Sequence, residues 1–97
     1  MLAIKHRWAI NLSGGYHHAC CNSGGGFCIY PDITLMVHYL RKWQKVYRIM
    51  IIDLDAHQGN GHERDMMDDQ NVHIVDAYNP HIYPHDVFAM RGIKTNI

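Results

Sequence analysis

Ile49-Met50-Ile51-Ile52-Asp53-Leu54-Asp55-Ala56-His57 is the stretch whose reading decides the fold of this chain. A short apolar run of this kind reads as a buried strand of a parallel sheet. Two carboxylates and an imidazole follow just where such a strand ends. In open α/β sheets, ligands sit outside the carboxyl ends of the strands. Ionised Asp is rarely buried without a partner, so a cation should lie close by, and a divalent metal is the economical candidate. The competing reading is a polar strand end packed by ordinary hydrogen bonds.

Working outward, residues 48–54 form one strand of an alternating pattern. Upstream, Met1 to Arg7 reads as the tail of a helix, and Trp8-Ala9-Ile10-Asn11-Leu12 as a short strand stopped by Ser13-Gly14-Gly15. Gly14 to Gly26 is a loop rich in Gly, His, Cys, Asn and Ser, whose backbone must take positive φ or approach something closely. Pro31 and Asp32 suit a first helical turn. Ile33, Met36, Val37, Leu40 and Trp43 then recur at helical spacing, predicting an amphipathic helix over 31–45. Downstream, Gly59 and Gly61 bracket a turn, 62–69 reads as a short acidic helix, and 72–75 as a third strand ending at Asp76. Pro80 and Pro84 punctuate a closing loop. Strand, helix, strand, helix, strand is an α/β pattern, and right-handed crossovers make its sheet parallel.

With 97 residues, 47% of them hydrophobic, the chain has the composition of one globular domain at most. Nine basic and nine acidic residues leave no net charge, which argues against direct nucleic-acid binding or attraction to a membrane surface. No run approaches the ~18 consecutive apolar residues of a membrane span. Cys20, Cys21 and Cys28 form no CxxC pair and read as reduced thiols. Nucleus or cytoplasm is the expected location. The nine histidines are the unusual count.

Asp55 and His57 lie two apart, so in extended chain they face the same side. An oxygen and a nitrogen donor from one segment fit a zinc-type site, which in catalytic form takes three protein ligands and a water. Asp53, of the same parity, is open to three roles: ligand, partner to a ligand, or ligand to another cation. His17-His18, behind Gly14-Gly15, suit an acid–base pair, since imidazole titrates near neutrality. The plainer alternative is a solvated pair satisfied by backbone. Other motifs fail. A calcium loop starting at Asp53 would need glycine at Gln58 and glutamate at Arg64. His62-Glu63 lacks the second histidine of a metalloprotease helix, because position 66 is Met. Gly24-Gly25-Gly26 is followed by no Lys-Ser/Thr. His6, His38, His73, His81 and His85 read as surface or core residues.

Three motifs in order, Gly14-Gly15-Tyr16-His17-His18-Ala19, Gly24-Gly25-Gly26-Phe27-Cys28 and Ile51 to Gly61, resemble the zinc-dependent histone deacetylases. The resemblance runs from Trp8 to Ala89. Gln58 to Asp65, with His81-Ile82-Tyr83-Pro84 downstream, is similar to the class IV, histone deacetylase 11-like branch. This resemblance implies the arginase/deacetylase fold, a Zn2+ cofactor with a structural K+, and hydrolysis of the amide of acyl-lysine in proteins, histones or others. It implies Asp55 and His57 as zinc ligands, and His17 and His18 as general base and as electrostatic or general-acid partner. Asp53 would orient the first histidine and, with Asp76, help hold the monovalent cation. Phe27 and Tyr83 would wall the acyl-lysine channel, and the Gly26 carbonyl would meet the substrate amide. Asn60 would partner the second histidine where most class I and II members have Asp, which should lower that ring's basicity.

The family's third zinc ligand, a Gly-rich segment and a carbonyl-polarising tyrosine lie further downstream in family members. Residues 1–97 are therefore expected to be a partial domain, its central catalytic-motif region, poorly folded and with negligible activity alone. The alternative is a non-catalytic remnant acting only through partner binding. A ureohydrolase of the same fold would need an aspartate where Gly59 stands, and has no place for the paired histidines.

Overall fold

A computed structural model describes residues 2–97. Helix α1 (Leu2–His6) and helix α2 (Asp32–Gln44) precede strand β1 (Ile49–Asp53). Helix α3 (Asn60–Met66), strand β2 (Val72–Asp76), a 3-10 turn (Ala89–Gly92) and strand β3 (Ile93–Asn96) follow. The sheet is parallel with order β1-β2-β3. This is the α/β architecture expected from the alternating pattern, and Ile51 pairs with Ile74 and Asp53 with Asp76. That register sets two strand-ending carboxylates side by side at the carboxyl edge.

The core is small. Val37 of α2, Met66 of α3, and Val72 and Ile74 of β2 bury together, with Ile49 and Ile51 packed against them. Truncating Ile74, which is wholly buried, should therefore cost about 2–5 kcal/mol. Asp32 occupies the first turn of α2 beside Pro31, and Lys45 ends it in the left-handed conformation while the Val46 N–H returns to the Leu40 carbonyl at 3.2 Å.

Several expectations need correction. Residues 8–12 form no strand. Among the described residues no strand lies alongside them to take their backbone groups, and Trp8, Ile10 and Leu12 stand exposed. The third strand of the sheet is instead β3, whose Ile93-Lys94-Thr95-Asn96 has no apolar run to mark it. β1 is an edge strand rather than a fully buried one, because only β2 flanks it, and Met50 and Ile52 are each 61% exposed. On α2, Val37 is buried while Met36 and Trp43 are exposed, since the small sheet covers only part of the predicted apolar face. α3 begins at Asn60, two residues before the predicted start, and that early start shapes the site.

Candidate active site

Past β1 the chain bends instead of continuing extended. Asp53 Oδ1 accepts the Asp55 N–H at 3.1 Å, and Asp55 Oδ1 accepts the His57 N–H at 2.8 Å. Two such side-chain-to-backbone turns in succession are what aspartates at these positions do well. They also correct the argument from strand parity: Asp53 and Asp55 do not share a face. The Asp53 side chain turns inward, 10% exposed, while that of Asp55 is 52% exposed. His57 Nδ1 lies 3.0 Å from Asp55 Oδ1.

The paired histidines arrive on a loop that passes through two left-handed glycines, Gly14 and Gly15. Asp32, at the start of α2, accepts the N–H groups of Gly15 and Tyr16 at 2.6 and 2.8 Å and so anchors that turn to a helix. The Gly61 N–H of α3 donates to the His17 carbonyl at 2.8 Å. A Cβ on Gly61 would stand 2.2 Å from the Ala19 carbonyl oxygen, so glycine is required there by close approach. Held this way, the two rings lie 4.1 Å apart. His17 Nδ1 meets Asp53 Oδ2, and His18 Nδ1 meets the Asn60 carbonyl oxygen, both at 2.8 Å.

Their surroundings differ electrostatically. Burial alone would depress His17, but the hydrogen bond and charge of Asp53, with Asp55 and Asp76 behind, raise it above its ordinary value. Burial dominates at His18, and the charges of His17 and His57 add to it, so its pKa is lowered despite the Asn60 bond. Asp53 is pulled well below the usual carboxylate range. Burial opposes this, yet the hydrogen bonds from His17, His62 and the Asp55 backbone outweigh it.

A cleft of about 560 Å³ opens over these groups, lined by His17, His18, Phe27, Asp55, His57 and Tyr83 among others. Phe27 is fully exposed at its rim, and the Tyr83 ring stands 4.9 Å from that of His18. Gly26 passes so close that a Cβ would lie 2.3 Å from the His18 ring. A second cleft of similar size, about 590 Å³, lies at the amino ends of β1 and β2 around Arg48 and His73, and gathers no acid–base pair.

Asp76 lies behind this cleft. It is wholly buried, its Oδ2 accepting the Gly59 N–H at 2.9 Å. Glu63 is also fully buried and pushed up to about 9, first by burial and then by Asp76. Oε1 of Glu63 and Oδ1 of Asp76 are left without partners. Burial and the neighbouring Asp76 favour the protonated form of Glu63. Gln58 donates to Glu63 Oε2 at 2.6 Å and closes the pocket.

Sequence reasoning missed four participants: Asp32, His62, Glu63 and Asp86. His62 Nε2 meets Asp53 Oδ2 at 2.8 Å, and Asp86 Oδ2 accepts the Asn60 amide N–H at 3.1 Å. A signal existed for His62 and Glu63. In a helix starting at Asn60, both fall in the first turn, next to the strand end. Asp86 sits in a loop and left none.

Asp55 and His57 match the donor spacing of a zinc site. Bonds near 2.0–2.1 Å to tetrahedral zinc place neighbouring donors roughly 3.3 Å apart, and theirs are 3.0 Å apart. An oxygen and a nitrogen donor at that spacing, open to the cleft, fit the ion. His17, Asp53 and His62 form another close trio, with ligand atoms within 4.8 Å of one another. There, both imidazoles sit at hydrogen-bond distance from a single carboxylate oxygen.

The fold and the paired histidines, one on a carboxylate and one on an amide, beside an Asp-x-His corner define an arginase/deacetylase-type α/β protein. The histone deacetylase domain model matches residues 1–96, and the chain belongs to that family. It is 52% identical over 96 residues to Histone deacetylase 2 of Arabidopsis thaliana, covering 99% of this chain and 25% of that protein. Against the acetoin utilization protein AcuC of Staphylococcus aureus it is 44% identical over 62 residues, 64% of this chain and 16% of that one. The crystal structure of an HDAC homologue from Aquifex aeolicus superposes with a TM-score of 0.73 at 28% identity, over 87% of this chain and 24% of that one. A second structure, an HDAC homologue complexed with SAHA, matches equally well. The chain thus spans a quarter or less of the curated relatives it matches. Among the described residues no helix is long and apolar enough to cross a membrane.

Proposed function

We propose that residues 1–97 carry the central catalytic-motif region of a zinc-dependent protein-lysine deacylase, of class IV type. The observation that carries this is the paired arrangement of His17 on Asp53 and His18 on Asn60, each at 2.8 Å, facing the Asp55–His57 corner. Asn60 within Gln58 to Asp65 supports the class IV reading. Asp55 and His57 would hold Zn2+, and Asp53 with Asp76 a structural K+. Bound zinc would supply Lewis-acid polarisation of an acyl carbonyl and of water.

This chain's own residues do the rest. With Nδ1 committed to Asp53, His17 offers Nε2 to take a proton from the attacking water, and its raised basicity suits that role. His18, with Nδ1 on Asn60, stabilises developing charge through Nε2 and helps protonate the departing lysine amine. Phe27 and Tyr83 flank the aliphatic stem of the acyl-lysine, and the Gly26 carbonyl accepts a hydrogen bond from the substrate amide. Substrates are acyl-lysine proteins, histones among them, in nucleus or cytoplasm. Two zinc ligands are supplied where a catalytic site takes three, so turnover by these residues alone is expected to be negligible.

A chimera tests this reading: residues 1–96 replace the matching segment of the Arabidopsis relative. Hydrolysis of acyl-lysine peptides, abolished by His57→Ala and by His17→Ala, is the expected result. A chimera that folds and binds one zinc yet hydrolyses no acyl-lysine peptide overturns it.

A further inference from the structure

Asp53 Oδ2 meets two imidazoles, not one. His17 Nδ1 approaches from the cleft side and His62 Nε2 from α3, each at 2.8 Å. The other oxygen, Oδ1, takes the Asp55 N–H. The carboxylate is therefore held from three directions, and only His17 among the two rings reaches the cleft.

Two further observations show that the His62 contact is built in. His62 is 1% exposed, and its Nδ1 is buried with no hydrogen-bond partner. A proton on Nδ1 would be buried without an acceptor, so the site holds the tautomer with Nε2–H directed at Asp53. Independently, Gly59 leaves room for the contact. A Cβ at Gly59 would stand 2.2 Å from His62 Nε2 and 2.4 Å from Asp53 Oδ2. Its backbone φ of −78° is open to any residue, so space alone demands glycine.

We propose that His62 is a positioning residue: by donating Nε2–H to Asp53 Oδ2 it fixes the carboxylate that directs His17, and Gly59 clears the space in which they meet. Without that donor, Asp53 keeps only the Asp55 N–H and His17 itself, so the carboxylate no longer holds the His17 ring from a fixed anchor on α3. α3 then governs both histidines, His18 directly through Asn60 and His17 indirectly through His62. The proposal rests on reading His17 as the proton acceptor, but its test does not require turnover.

Long-range 1H–15N NMR of the histidine-labelled chimera described above, free of metal and at alkaline pH, reads the tautomer of each ring. In the unsubstituted chimera His62 is expected as Nε2–H and His17 as Nδ1–H, each with a slowly exchanging ring proton. His62→Phe keeps a flat ring and removes the donor. It should leave His17 as a mixture of tautomers, its ring proton exchanging about tenfold faster or more, as befits a lost hydrogen bond to a charged group. His62→Gln, which keeps an N–H donor, should restore much of the protection. Gly59→Ala should reproduce the His62→Phe effect while removing no polar group. An unchanged His17 signal in both His62→Phe and Gly59→Ala overturns the proposal. So does an Nδ1–H tautomer at His62 in the unsubstituted chimera, a result that needs no variant to fold. Zinc that displaces the Nε2–H signal would make His62 a metal ligand and equally overturn it. A chimera without deacylase activity but with His17 still pinned would sink the functional reading and leave this one standing.

Discussion

Asp53 and Asp55 stand two residues apart and live in different worlds. Asp53 turns its side chain inward, meets two imidazoles and one backbone N–H, and is anchored to α3 and to the His17 loop. Asp55 is half exposed, and its hydrogen bonds go to His57, two residues on. One carboxylate belongs to an inward-facing hydrogen-bond network, the other to an open Asp–His corner held by a local turn. The difference teaches where this part of the molecule keeps its rigidity: in the apparatus that orients imidazoles, more than in the donors that would grip an ion.

Substituting Asp53 by alanine should show the largest contrast. It leaves two imidazole nitrogens, one of them fully buried, without their acceptor, and breaking a buried pair of this kind costs about 3–5 kcal/mol. Urea unfolding of the metal-free chain would measure it. A loss under about 1 kcal/mol would erase the distinction between the two aspartates.

The second contrast is in pH. Glu63 has a folded-state pKa raised from its ordinary 4.5 to about 9, so in the folded state it keeps its proton where the unfolded chain has lost it. Its contribution is fully present below pH 4.5 and is lost as pH rises through 9. Within that window stability should fall by up to about 1.4 kcal/mol per pH unit. Asp53 works in the opposite sense: its depressed pKa adds stability that is present above the ordinary carboxylate range and lost on acidification. Glu63→Gln should flatten the alkaline decline and leave the acid limb intact, as read by unfolding midpoints across pH. An unchanged alkaline limb would mean that Glu63 is ionised in the fold.

Much of this was legible in the residues, and the reasons are local. The apolar run into Asp53 specifies a strand, and the glycine–histidine motif specifies a loop at the same edge. The His17–Asp53 and His18–Asn60 pairings follow from the family resemblance, and the geometry agrees with both. What escaped notice depends on neighbours distant in sequence. Trp8 to Leu12 alternates like a strand, but a strand needs a ladder partner, and the described residues provide none there. β3 pairs only because β2 presents a free edge. Asp32 looked like a helix start and serves also as the anchor of the Gly15–Tyr16 turn, a role that only a contact across 17 residues reveals. Asn60 is similar. Its amide looked like a weaker substitute for a carboxylate, yet its N–H donates to Asp86, which a carboxylate could not do.

That last point gives a third, smaller prediction. Asn60→Asp should raise the pKa of His18 toward its ordinary value, since an opposite charge at hydrogen-bond distance favours the imidazolium. It should also cost about 1 kcal/mol of stability, because two carboxylates would then face each other beside Asp86. NMR titration of the His18 ring and unfolding of the same variant would check both. A pKa that does not rise would mean that burial, and not the missing charge, sets this ring's basicity.

The smallest effect belongs to the open corner. Asp55→Ala and His57→Ala remove exposed side chains that bond chiefly to each other, so in the metal-free chain each should shift stability by no more than about 0.5 kcal/mol. Zinc should separate them from silent surface changes. If the two donors grip an ion together, either substitution should abolish zinc-dependent stabilisation, because one remaining donor on a half-exposed turn cannot hold it. Thermal unfolding with and without zinc reads this directly. A metal-free loss comparable to that of Asp53→Ala would show the corner to be as structural as the network behind it, and the contrast between the two aspartates would fail at its weaker end.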